Sequence, residues 1–398
     1  MVNEFAQWVD YGDSYLYYLF ELANYFWCVI LVIFAHQIQL ISKKAMWIWI
    51  AAFASPFIFN YVIFSPTLYG DQYIYTFEVV ELAFDRQRIP GSNLWGGYNS
   101  TGYMAGFLLS FIPIPVLATL TSLGFANRII AFIFYIWLSR IEYVSEKGIL
   151  ILCLIPSFIL YTSLSLREAL ILIPATVTLI SYLRGKYIGM FVMMPFLYVL
   201  KFQVFTFVAI YLVSTIIFRT HKSMFMFVIF VVGAFIALFA FEERVLDIIN
   251  LYRLAFVAED FENGYAGFGL YGLSHEFADI TSTYDAIIES LKGIPVLLFI
   301  PLPWNWEGLL YAIQFFESVG LIFAFFYIIK KYSLTKVQAF YPLIFSFGVA
   351  FGLYSLLVQN EGTFVRYRFE IVFPWMVALY YLGVSTFNQS KESKTAIS

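Results

Sequence analysis

Val337–Leu357 reads VQAFYPLIFSFGVAFGLYSLL, without one charged side chain. Its length matches the roughly 20 apolar residues that carry a helix across a bilayer. In hydrocarbon each backbone polar group must bond within its own segment, which selects helix over any open sheet. Working outward, further apolar runs fall at 15–36, 45–64, 101–123, 127–145, 148–164, 167–183, 187–200, 202–218, 223–242, 309–329 and 371–387. The 398 residues are 62% hydrophobic, 21% aromatic and 12% charged, against about 45–50% apolar and about 25% charged in soluble domains. A soluble enzyme is excluded, and so is a transmembrane barrel, whose strands alternate over about 10 residues. The expected fold is all-α: a polytopic transmembrane helical bundle of about 11–12 spans. No linker, repeat or low-complexity tract divides it, so residues 1–398 read as a single integral membrane domain.

The net charge of −3 and the lack of a basic stripe argue against a nucleic-acid partner. Cys28 and Cys153 sit inside apolar runs, and His36, His221 and His275 are scattered. Neither set has metal-ligand spacing. The first residues carry Glu4, Asp10 and Asp13 and no basic residue, unlike a cleavable leader, so the first run is expected to remain as a span. Five basic clusters fall in short connections: Lys43/Lys44, Arg184/Lys186, Arg219/Lys222, Lys330/Lys331/Lys336 and Lys391/Lys394. The positive-inside rule places them in the cytoplasm. Segments 65–100 and 243–308 and the Asn360–Glu370 connection are then extracytoplasmic, with interfacial helices expected in the first two. One crossing fails the parity of this scheme. Ile112-Pro113-Ile114-Pro115 makes 101–123 the candidate for a re-entrant or broken helix, because proline removes a backbone donor.

Charges on the outer face are the candidates for chemistry, since an ionisable residue at the membrane is expensive unless it pairs or meets a ligand. Arg167, Lys201, Arg366 and Arg368 fall in very short outer connections. Arginine grips phosphate bidentately, so these four are candidate phosphate ligands. Ion pairing of Arg167 with Glu168, or of Arg368 with Glu370, is the alternative. Asp71 follows the second run directly, and residues 73–84 beyond it are apolar with Glu78 and Glu81, which suits an interfacial helix. A carboxylate there can act as general base, hold a metal, or cap a helix.

Several of these stretches resemble a known group. Pro156-Ser-Phe-Ile-Leu-Tyr-Thr-Ser-Leu-Ser-Leu-Arg167-Glu168 is similar to a stretch of bacterial polytopic envelope glycosyltransferases of GT-C type and O-antigen-polymerase-like proteins. So are Gly293-Ile-Pro295 with Ile300-Pro301-Leu302-Pro303-Trp304 and Glu317, and Asn360-Glu-Gly-Thr-Phe-Val-Arg366-Tyr-Arg368 with Pro374. Asp71 resembles the acid of the first outer loop of the GT-C superfamily. The resemblance implies a glycosyltransferase of the inner membrane, adding single sugars or polymerising repeat units. Its donor is a polyprenyl-linked saccharide held at the extracytoplasmic face. Asp71 would be catalytic; Arg167, Lys201, Arg366 and Arg368 would bind donor phosphate, with Glu168 and Glu78 as further candidates. Gly70-Asp71-Gln72 lacks the paired acid of many GT-C members, so a divalent metal has no support and no cofactor is expected. A transporter or flippase of lipid-linked oligosaccharide is the alternative, and a non-catalytic assembly protein the third.

Overall fold

The computed structural model describes residues 15–63, 72, 75, 100–116, 121–221, 232–233, 239–262, 279–306, 308–357 and 361–395. Every regular element among them is helical. The first half contains α1 (Tyr15–Gln37), α2 (Lys43–Ala52), α3 (Ser100–Ser110), α4 (Ser122–Ser139), α5 (Glu146–Cys153), α6 (Pro156–Tyr161) and α7 (Glu168–Leu183). A helical turn Ser55–Phe57 runs into a π-helix Ile58–Ile63 after α2. The second half contains α8 (Tyr187–Leu200), α9 (Phe202–His221), α10 (Glu242–Glu262), α11 (Thr283–Phe299), α12 (Leu309–Tyr332), α13 (Phe340–Leu357) and α14 (Glu361–Thr395). Four stretches, Ser122–Ser139, Leu309–Tyr332, Phe340–Leu357 and Val365–Gln389, are long and apolar enough to cross a membrane. The run 223–242 lies mostly outside the described residues.

Several runs that read as continuous are interrupted. The 101–123 run holds α3, then a turn and bends through Val116, and helix again from Ser122 as α4. The 11 residues of α3 extend about 16 Å at 1.5 Å per residue, roughly half of a hydrocarbon core. Pro113 and Pro115 forbid the helix from continuing, and side chains from α1 take over its hydrogen bonds. Asn24 Nδ2 donates to Val116 O at 2.8 Å, and Val116 N donates to Asn24 Oδ1 at 3.0 Å. Trp27 Nε1 donates to Pro113 O at 2.7 Å. The 148–164 run is likewise cut ahead of Pro156 into α5 and α6.

The chain divides into two compact units, 1–178 with 187–202, and 179–186 with 203–398. Composition marks no such boundary, because both are equally apolar. In unit 1, α4 is central, and Trp49 of α2 packs on its Phe132 and Tyr135 at centroid distances of 5.2 and 5.4 Å. At one end of this unit Glu146 ties two connections together. Its Oε1 accepts from Ser42 N and from the Tyr135 hydroxyl, both at 2.9 Å. Burial pushes the Glu146 carboxyl up, but these donors and nearby Arg140 outweigh it and hold it below the usual carboxylate range.

In unit 2, α14 is the central helix and α12 the peripheral one: 83% of the Val365–Gln389 window is buried, against 11% for Leu309–Tyr332. Helices α11 and α13 approach closely through small residues. Ser290 Oγ donates to Gly352 O at 2.8 Å and Ser355 Oγ to Ser290 O at 3.0 Å. A Cβ on Gly293 would lie 2.7 Å from Ser355 O. Small residues at helix crossings let backbones meet, which is how apolar helices associate without a hydrophobic drive.

Two outcomes follow. Gly293→Ala should cost about 1–3 kcal/mol through overpacking and lower the melting temperature in detergent. Gly320→Ala on α12, where a Cβ meets nothing within 4 Å, should leave it unchanged or raise it. For Glu146 the folded state holds the proton more weakly than the unfolded chain. Its stabilisation is thus present above the unfolded value near about 4.3 and is lost as pH falls through the lowered folded value. Melting of the wild type should therefore drop more steeply below about pH 5 than melting of Glu146→Gln; parallel acid limbs would deny Glu146 this role.

Candidate functional site

Between α6 and α7 the chain leaves the helix for Thr162–Arg167 while staying inside the protein. Thr162, Ser163, Leu164, Ser165 and Leu166 are all buried, and Arg167 is half-buried. Peptide groups in such a place must be satisfied by something other than a helix. Asn127 Nδ2 donates to both Leu164 O and Leu166 O at 2.7 Å. Asn60 Nδ2, on the π-helix, reaches Ser163 O at 3.4 Å and Pro56 O at 2.9 Å. Gln72 Oε1 accepts from Ser165 N at 2.8 Å. The hydroxyls of Ser55 and Ser163 meet at 2.6 Å.

Arg128 completes the cluster from α4. It is fully buried, donates from Nη1 to Thr162 Oγ1 at 2.7 Å, and lies over the Trp49 ring at 4.8 Å. Gly124, Asn127 and Arg128 follow the i, i+3, i+4 spacing that puts them on one helix face. At Gly124 a Cβ would fall 2.2 Å from Ser163 O, so α4 touches the segment with bare backbone. The buried atoms Arg128 Nε, Asn127 Oδ1, Asn60 Oδ1, Ser165 Oγ and Trp49 Nε1 have no hydrogen-bond partner among the described residues. The cluster therefore holds cationic and neutral donors, amide acceptors and hydroxyls around one segment.

The residues singled out from sequence fall as follows. Arg167 ends the segment and lies under the Tyr75 ring at 5.8 Å. Glu168 is fully buried as the first residue of α7, where a carboxylate suits the positive helix end. Asp71 and Glu78 lie outside the described residues, although Gln72 and Tyr75 are both joined to the segment. Lys201 is the single-residue break between α8 and α9 and is buried, with its N–H donating to Leu197 O at 2.9 Å.

Arg366 and Arg368 require correction. They stand in the opening turns of α14, within a membrane-length apolar stretch, and not in a short connection. Two residues apart on a helix, they point to different sides. Arg366 shares a face with Glu370 at i+4, whereas Arg368 and Glu370 do not face each other. Arg368 is buried, and its Nη1 donates to Ile300 O at 2.6 Å and to Leu297 O and Leu298 O at 3.3 Å. It thus caps the negative C-terminal end of α11. What differs from the sequence expectation is the placement: both arginines belong to a helix and not to a short connection.

Arg128 was missed in the sequence because its run reads as a plain apolar span. The signal was there: an arginine within a membrane-length apolar helix is itself a functional marker. Among the described residues no group of three His, Cys, Asp or Glu side chains stands together to hold a metal. Comparison with protein-family models, with curated proteins and with solved structures finds no match to this chain.

Asn127→Leu removes the donor for two buried carbonyls, each costing about 1–3 kcal/mol when unsatisfied. It should sharply reduce recovery of folded protein from membranes. Gly124→Ala should do the same by driving its Cβ into Ser163 O, and wild-type melting of both variants would mean that the segment is held elsewhere.

Proposed function

We propose that the protein is an envelope polysaccharide glycosyltransferase or repeat-unit polymerase. In this reading it is a polytopic bundle of about 11–12 spans in the cell inner membrane, with 65–100 and 243–308 extracytoplasmic. Its donor is a polyprenyl-(pyro)phosphate-linked saccharide. The observation that carries the proposal is that Gln72 and Tyr75, from the first-loop stretch, both meet the Arg167 segment. Gln72 bonds the Ser165 N–H and Tyr75 lies over Arg167. Asp71 is the covalent neighbour of Gln72 and, in this reading, its carboxylate serves the same site as Arg167.

The division of labour is then as follows. Arg167, at the positive N-terminal end of α7, binds the donor phosphate and stabilises the charge that builds on it as it departs. An acceptor hydroxyl attacks the anomeric carbon, its proton passes to Asp71, and the bond from that carbon to the phosphate oxygen breaks. The products are the new glycosidic bond and the polyprenyl phosphate or pyrophosphate. Arg128 holds the Thr162 end of the segment so that Arg167 keeps its place. Lys201 and Arg366 remain candidates for the rest of the lipid headgroup.

A carrier for lipid-linked oligosaccharide is the second reading. The breaks at 111–116 and 162–167 favour it, because discontinuous helices mark substrate sites in transporters.

Asp71→Asn separates base from cap, since Asn caps a helix about as well as Asp. The proposal expects polysaccharide output in a deletion strain to fall by about 10²–10⁴-fold with membrane abundance unchanged. Output at the wild-type level would leave Asp71 as a cap. Arg167→Lys, which keeps the charge and loses the fork, should also reduce output. In proteoliposomes holding a fluorescent lipid-linked saccharide, movement across the bilayer without any change in saccharide length would select the carrier.

A further inference from the structure

Unit 1 carries a second polar constellation, at the far end of α4 from Arg128. Twelve residues separate Arg128 from Arg140, or about 18 Å along the helix axis. Here the ends of α1 and α4 and the start of α5 border an open cleft of about 370 Å³ lined by His36, Gln39, Ser42, Ser139, Arg140 and Glu146. That is near the lower end of the roughly 300–1,000 Å³ typical of small-ligand sites.

Its walls are fixed by polar cross-links. His36 Nδ1 donates to Ile41 O at 3.1 Å, which leaves Nε2 as the second polar atom of that ring. Arg140 Nη2 donates to Gln39 O at 2.5 Å, so one arm of the guanidinium is anchored. Glu146 Oε1 is held by Ser42 N and Tyr135, and Arg140 stands close enough to act on that carboxyl. Gln39 and Tyr143 both have left-handed backbones, at φ 59° and 68°. Non-glycine residues in that region are strained and tend to cluster at ligand sites. The cleft also opens beside Lys43 and Lys44 at the start of α2.

We propose that this cleft binds an aminoalkyl phosphate headgroup, of the phosphoethanolamine class. The phosphate is taken by Arg140, and the ammonium by Glu146 with Nε2 of His36 as a second acceptor. A purely anionic ligand would meet Glu146 as a like charge, and a purely cationic one would meet Arg140. A ligand bearing both charges satisfies both walls. A trimethylammonium headgroup has no N–H to give Glu146. The position at the ends of two apolar helices favours a membrane lipid as the source, and a soluble phosphate ester shares the same chemistry. The inference does not rest on the proposed glycosyl transfer.

The test uses the full chain, purified and exchanged into nanodiscs, with retained lipid counted by native mass spectrometry. Wild type should retain phosphatidylethanolamine in preference to phosphatidylglycerol and phosphatidylcholine. Arg140→Gln should weaken that retention about tenfold, the factor that 1.4 kcal/mol of a charged hydrogen bond represents. Glu146→Gln should keep phosphatidylglycerol and lose the preference for the amine. Ser139→Phe, which fills the cleft, should abolish retention while melting stays at the wild-type temperature. It guards against an Arg140 variant that merely misfolds. Millimolar phosphoethanolamine that stabilises the wild type in the absence of lipid would identify a soluble ester as the source. Equal retention of all three lipids by wild type, Arg140→Gln and Ser139→Phe, with no stabilisation by phosphoethanolamine, would overturn the proposal.

Discussion

Thr162–Leu166 places a run of non-helical peptide groups in the interior of unit 1, and unit 1 is arranged around satisfying them. Each unsatisfied group at such depth would cost several kcal/mol. The partners are drawn from three separate stretches: Asn60 from the π-helix, Gln72 from the first-loop stretch, and Asn127 with Arg128 from α4. Satisfying the segment therefore fixes the rotation of α4 about its axis, because only one face carries Gly124, Asn127 and Arg128. It also explains the glycine: Asn127 can reach two carbonyls only if α4 comes close enough for bare backbone to touch Ser163.

The two buried arginines show how differently a guanidinium can be kept inside. Arg368 has three carbonyl acceptors at the negative end of α11, so a fixed dipole compensates its charge. Arg128 has one hydroxyl and the face of an indole. A desolvated cation–π contact contributes about 2 kcal/mol, while burying an ion costs several kcal/mol even after relaxation. Among the described residues Arg128 thus has fewer compensating partners than Arg368, whose cap on α11 is a structural role.

The helical class was legible, and so were four membrane-length stretches, because continuous apolar runs admit little else; Val337–Leu357 overlaps α13 almost entirely. The Pro113/Pro115 break was legible too, since proline acts through local sterics alone. The break after Tyr161 was not, because its cause is tertiary. Leu164 and Leu166 look as helical as any leucine, and only Asn127, 37 and 39 residues away, makes a non-helical path affordable. Arg366 and Arg368 were misplaced for the opposite reason. Their charges read as a loop, but a helix can carry a buried arginine once another helix offers its carbonyls.

The stretches that stand out in the sequence meet pairwise within the units. In unit 1, Gln72 and Tyr75 meet the Ser165–Arg167 segment; in unit 2, Ile300, beside Pro301, meets Arg368. The two junctions are chemically unlike. The second is a helix end and its cap, so Arg368 couples the position of the Ile300–Trp304 connection to the opening turns of α14. Any rearrangement of that connection must break three charged hydrogen bonds, each stronger than a neutral one. Among the described residues the first junction has donors and acceptors left over after the backbone has been satisfied: Arg128 Nε, Asn127 Oδ1 and Ser165 Oγ. The first junction thus differs from the second in kind: it is a non-helical segment held by side chains from several stretches, whereas the second is one guanidinium on one helix end.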